Sequence, residues 1–75
     1  MLITIKTLSG RKISFDFDGN QKVIEIKEAL TEKEGIPKEQ IRLIHGGKLM
    51  NDESTIDECK IIPGSDLMMA LHLKG

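Results

Sequence analysis

The 75 residues predict a small α+β domain in which one sheet packs on one helix. Three observations carry that prediction. Two successive N-terminal runs alternate apolar and polar residues, the next stretch repeats apolar residues at three- and four-residue spacing, and the C-terminal half returns to short alternating runs. A chain this short buries only about 60% of the surface its unfolded form exposes, so it holds one small core and one domain.

The first run, from Met1 to Thr7, puts Met1, Ile3 and Ile5 on one face and Leu2, Thr4 and Lys6 on the other. In the second, Ile13, Phe15 and Phe17 alternate with Lys12, Ser14 and Asp16. Leu8-Ser9-Gly10 between them is short enough for an antiparallel hairpin, with Gly10 available for a positive φ. The helix is expected next, because Val23, Ile26 and Leu30 form one stripe while Glu25, Lys27, Glu28, Lys33 and Glu34 occupy most of the remaining circumference. Asp18, Gly19 and Asn20 are its cap or turn candidates. It should stop near Glu34, since Gly35 suits the left-handed position after a last turn and Pro37 disfavours continuation.

Ile41 to Ile44 read as a strand with Ile41 and Leu43 inward and Arg42 and Ile44 outward. His45-Gly46-Gly47-Lys48 then reverses the chain into a very short strand at Leu49-Met50. The polar stretch from Asn51 to Ile61 is expected as a loop anchored by Ile56 and Ile61, with one turn of helix after Ser54 or Thr55. In the last run Leu67 and Met69 face one way and Met68, Ala70 and His72 the other.

Composition narrows the function. Eleven basic and twelve acidic side chains give a net charge of -1, so no global excess points to nucleic acid or an anionic membrane. No window approaches the roughly 18 apolar residues of a membrane span, and the N-terminal apolar stretch is too short for a signal peptide. Cys59 has no second cysteine to pair with, which fits a reducing compartment, and a cytoplasmic and nuclear location is the expectation. Catalytic chemistry finds little to use. The two histidines, His45 and His72, fall at a turn and in the tail, and with one cysteine they match no zinc-finger spacing. Gly46-Gly47-Lys48 lacks the rest of a phosphate loop, and Cys59 reads as a small packing residue. The expectation is a monomeric protein that is not an enzyme and carries no cofactor or metal.

Four apolar residues remain unassigned to the core. Ile44, Met68 and Ala70 point away from the helix, and Leu8 sits in the first hairpin turn. Scattered exposed apolar residues are ordinary. On neighbouring strands, however, these four would form a contiguous docking patch, rimmed by Lys6, Arg42, Lys48 and His45 and suited to acidic partners.

At this point the motifs resemble a known family. "TLSG" at 7–10, "KEGIPKEQIRLIHGGKLMNDEST" at 33–55 and the terminal "LHLKG" are similar to ubiquitin and, more closely, to the Rub-type modifiers of the neddylation pathway. The spacing of "KEGIP" to "Q-x-R-L-I-x-x-G-K" is the strongest joint signal, the likeness covers all 75 positions, and "MLI" and "MNDE" lean toward the Rub type. The resemblance implies a β-grasp fold, a mixed sheet on one α-helix with the first and last strands parallel at its centre. It implies a ubiquitin-like domain over residues 1–72 and a flexible conjugation tail at 73–75. It also implies a function: activation at the C-terminal glycine by an ATP-using enzyme, transfer as a thioester to a conjugating enzyme, and ligase-assisted attachment to a substrate lysine, cullin-like scaffolds being the expected substrates. A processing or deconjugating protease completes the expected partners, with no nucleic acid or membrane among them.

Carried over by position, Leu71, His72, Leu73, Lys74 and Gly75 match the conjugation tail, Leu8, Ile44, Met68 and Ala70 the main docking patch, and Ile36, Leu71 and Leu73 a second patch. Lys6, Lys27, Lys33 and Lys48 are the candidate acceptor lysines, whereas Arg11 and Pro63 stand where ubiquitin has two others, and Lys27 is expected to pair with Asp52. Other departures are chemical. The family ends in two glycines and these residues include only Gly75, Lys74 replaces an arginine and its planar fork, and Met68 and Ala70 replace a histidine and a valine. His72 matches neither the arginine of ubiquitin nor the alanine usual in the Rub type. A non-covalent ubiquitin-like domain of a larger protein, or a divergent ubiquitin, is the alternative reading.

Overall fold

The computed structural model describes residues 1–71. Strands β1 (Leu2–Lys6) and β2 (Lys12–Asp16) form the expected hairpin, with Ile3 opposite Phe15 and Ile5 opposite Ile13. Gly10 closes its turn at φ 86°, donating its N–H to the Thr7 carbonyl at 3.0 Å.

Helix α1 (Val23–Glu34) begins at the first residue of the predicted stripe, and of the cap or turn roles open to Asp18, Gly19 and Asn20 the structure takes the turn, over Asp18 to Gln21. The Gln21 N–H donates to the Asp18 carbonyl at 3.0 Å and the Asp18 N–H to Gln21 Oε1 at 2.7 Å. Lys22 is the N-cap instead, and its backbone N–H donates to the Glu25 carboxylate at 2.8 Å. The donors of the first turn, which no helix can satisfy internally, are taken up by the following loop: Val23 N–H by the Ser54 carbonyl and Ile24 N–H by that of Asp52. At the far end Gly35 adopts φ 72° and donates to the Thr31 carbonyl at 2.8 Å, the left-handed stop that its lack of a Cβ permits.

After Pro37 a 3-10 turn at Lys38–Gln40, which the sequence pattern did not reveal, leads into β3 (Ile41–His45). Strand β4 is Lys48–Leu49, one residue earlier than expected. The cause lies in the turn. Gly46 and Gly47 both have positive φ, a two-residue reversal that places Lys48 opposite His45 and Leu49 opposite Ile44. Met50 then turns into the core. The predicted helical turn follows Thr55, whose hydroxyl accepts the Glu58 N–H while the Glu58 carboxylate accepts the Thr55 N–H. Strand β5 (Asp66–Leu71) completes a sheet of order β2-β1-β5-β3-β4. β1 and β5 are parallel at its centre and the other pairs antiparallel. With α1 across one face, this is the β-grasp arrangement.

The core lies between them. Ile3 and Ile5 from β1, Leu43 from β3 and Leu67 from β5 meet Val23, Ile26 and Leu30 of the helix, all at 0% exposure. The inward residues of the sequence pattern are thus the buried ones, with Met1 and Phe15 only half-buried at the edge of the cluster.

Candidate docking face

Side chains directly opposite one another on paired strands share a face of the sheet. That rule assembles the outer surface. Lys12 is opposite Lys6 on β1, Lys6 opposite Met68 on β5, Met68 opposite Ile44 on β3, and Ile44 opposite Leu49 on β4. One row therefore crosses all five strands, about 19 Å from end to end at the usual strand spacing of about 4.8 Å. Met68 is 56% exposed and Ile44 half-buried. Ala70, also half-buried, is opposite exposed Arg42 one step along, and Leu8 is 51% exposed in the turn that leaves β1.

The sequence reading missed Leu49, which is 57% exposed at the end of the row. Its alternation with buried Met50 across the two-glycine turn was the available signal. His45 and Lys48, conversely, do not join the row, since they are opposite one another on the other face of β3 and β4. His45 has the opposite parity to Ile44 and borders a cleft of about 400 Å³ that is also lined by Lys48, Glu58 and Cys59. Burial, and secondarily the adjacent Glu58 carboxylate, push the Cys59 thiol above its ordinary range, so it is a poorer nucleophile than a free cysteine. Among the described residues no group of three or more His, Cys, Asp or Glu is placed to hold a metal ion.

Leu71 is opposite buried Ile41, hence on the helix side of β5, and Ile36 packs half-buried against the core in the segment after α1. The two residues assigned to the second patch thus lie across the sheet from the first. Leu73 belongs to that assignment but, like the tail residues His72, Lys74 and Gly75, lies outside the described residues. Of the candidate acceptors, Lys6, Lys33 and Lys48 are exposed. Lys27 is not: it is 8% exposed on α1, with its ammonium paired to the Asp52 carboxylate. That pair was foreseen from the sequence, and it removes Lys27 from ready access.

Comparison with known proteins places this geometry. Residues 3–74 match the model of the ubiquitin family. All 75 residues align with "Ubiquitin-like protein NEDD8" of Dictyostelium discoideum at 49% identity, covering 97% of that protein. They align at 48% with "Ubiquitin-like protein 1" of Schizosaccharomyces pombe, covering 96% of it, and at 41% with "NEDD8-like protein RUB1" of Saccharomyces cerevisiae, covering 97%.

Proposed function

The chain belongs to the ubiquitin family, and from that premise we propose that it is a Rub-like modifier conjugated through its C-terminal glycine to lysines of target proteins, with cullin-type ligase scaffolds as the substrate class. The observation that supports this most is similarity to Rub-type modifiers over essentially their whole length. In this reading the domain supplies no catalytic group. An activating enzyme uses ATP to convert the terminal carboxylate into a thioester, a conjugating enzyme and ligase deliver it to a lysine, and a protease exposes or releases the end. Glycine suits the task because an end without a Cβ threads a narrow channel. Leu8, Ile44, Met68 and Ala70 hold the partners through the outer face, and residues 71–75 carry the reaction.

The experiment supplies a Gly-Gly-ended form with ATP and either a Rub-type or a ubiquitin-type activating enzyme, and measures thioester formation at neutral pH. Charging by the Rub-type enzyme is expected. A ubiquitin-type enzyme built to pair an arginine gains little from His72, which lacks the guanidinium fork. Preferential charging by the ubiquitin-type enzyme would overturn the Rub assignment, and charging by neither would favour a non-covalent binding domain. His72→Arg and His72→Ala variants in the same assay show whether this side chain sets the choice.

A further inference from the structure

The cleft beside β4 is independent of the outer face. His45 and Lys48 are directly opposite one another on its strand side, and the loop from Asn51 to Lys60 forms the other wall around a space of about 400 Å³. Charge is sorted across that loop. Asp52 pairs with Lys27, Glu53 with Lys22 at 3.3 Å, and the Asp57 carboxylate occupies the space that a Cβ on Gly19 would need. The bases go the other way. Lys48 and Lys60 both line the cleft, and neither has an ion pair among the described residues. Glu58, the one carboxylate of the lining among those residues, already accepts the Thr55 N–H at 2.8 Å. Lys60 is also the residue held at φ 59°, and backbone outliers of that kind gather where a ligand is clamped.

We propose that this cleft binds a small organic phosphate monoester. The Lys48 and Lys60 ammoniums hold the dianion, His45, Asn51 and Ser54 donate hydrogen bonds to its remaining oxygens, and the carbon skeleton lies over Met50 and Cys59. The charge matches, because a phosphate monoester carries about −1.5 to −2 at neutral pH and lysine binds phosphate as a point charge without needing a fork. The neutral donors match as well. Asn51 Oδ1 accepts the Glu53 N–H at 3.0 Å, which leaves its amide N–H groups to donate, and Ser54 adds a hydroxyl. Volume argues for an ester rather than the bare ion, since 400 Å³ is the space of about 13 waters at about 30 Å³ each.

The test titrates the intact chain with ribose 5-phosphate and with adenosine 5′-monophosphate, using ribose, adenosine and inorganic phosphate as controls. Both esters should bind with a Kd on the order of 1 mM or below and raise the unfolding temperature, and the phosphate-free controls should do neither. Cys59 is the single cysteine of the chain and lines the cleft, so its alkylation by neutral iodoacetamide reads occupancy at this place and should slow as either ester is added. Lys48→Gln and Lys60→Gln should each weaken the esters about three- to tenfold at low salt. Lys60→Asn should weaken them as much while relieving the left-handed strain, which separates lost contact from lost stability. Ile44→Ala, on the other face, should leave the affinity unchanged.

Esters that bind the lysine variants as tightly as the parent, or that bind without protecting Cys59, would overturn the proposal. Inorganic phosphate binding as tightly as the esters would reduce the cleft to a place for an adventitious ion only. A phosphoserine peptide that binds where neither ester does would assign the lysines to a protein partner, and binding of nothing would leave the cleft without a ligand; either result ends the proposal. None of these outcomes bears on the conjugation reading, which the thioester assay tests separately.

Discussion

Replacing Asp52 with asparagine tests how the loop after β4 is fastened to the helix. The Asp52 backbone carbonyl accepts the Ile24 N–H, and its side chain pairs with the Lys27 ammonium, which is 8% exposed. Asparagine keeps the size and the backbone contacts and removes only the charge. Two unit charges about 3 Å apart attract by roughly 5 kcal/mol at an effective dielectric of about 20. The side chain of Asp52 remains 43% exposed, so water screens much of that. The variant leaves an almost buried ammonium without its counter-charge, yet the asparagine oxygen still accepts one hydrogen bond, and a net loss of about 1–2 kcal/mol follows. For a domain of this size that lowers the unfolding temperature by about 5–15 °C, readable by calorimetry.

Lys27→Met supplies the control. It breaks the same pair but strands no buried charge, because Asp52 can rehydrate, so it should cost less than Asp52→Asn. The reverse order, or a loss below about 0.5 kcal/mol for Asp52→Asn, would refute the reasoning that an orphaned Lys27 is what destabilises the fold.

Ile44→Ala should cost about 1 kcal/mol or less of stability, since the side chain is only half-buried, while weakening partner binding several-fold; a large stability loss with unchanged binding would reverse the assignment of faces. Lys60 holds φ 59°, a left-handed conformation that costs an ordinary side chain about 1 kcal/mol or more, so Lys60→Asn should stabilise by about 0.5–1 kcal/mol in denaturant unfolding, and no gain would mean the conformation is not strained. Glu25 is held below its usual value of 4.5 first by the Lys22 backbone N–H and then by the Gln21 side chain. A depressed folded value gives stability that is full above the unfolded value and lost as pH falls through the folded one, so the advantage of the parent over Glu25→Gln should shrink between about pH 6 and pH 3. An advantage constant over that range would sink the linkage.

The alternating runs made the buried faces of β1, β3 and β5 legible, because a period of two admits one core face once either side is apolar. Val23, Ile26 and Leu30 did the same for α1. Strand order was not legible: nothing in the alternation of Leu67 and Met69 says that β5 lies between β1 and β3, and only the family resemblance supplied the central parallel pair. The N-cap was missed because Lys22 caps with its backbone and borrows the Glu25 carboxylate, while the polar residues before it close a separate turn. The outer face was legible as Ile44, Met68 and Ala70. Leu49 was missed, since its alternation with Met50 is a single step and its facing follows from the positive φ of both Gly46 and Gly47.

Lys6 was legible as a rim residue of the outer face, but its pairing with Lys12 was not. Lys6 and Lys12 are six residues apart and each looks like an ordinary solvated strand residue; only the hairpin register makes them opposites. Register also ties the outer face to the end of β5. β5 sends Met68 outward into the row and Leu67 and Met69 into the core, and it is paired on both sides, to β1 and β3. A strand so held cannot translate or rotate without breaking two ladders and emptying core sites, each worth about 2–5 kcal/mol for a large apolar side chain cut to alanine. The end of β5 at Leu71 is therefore fixed relative to Ile44 and Met68. A partner that grips Ile44 and Met68 thus also holds Leu71, on the same strand, in a defined position.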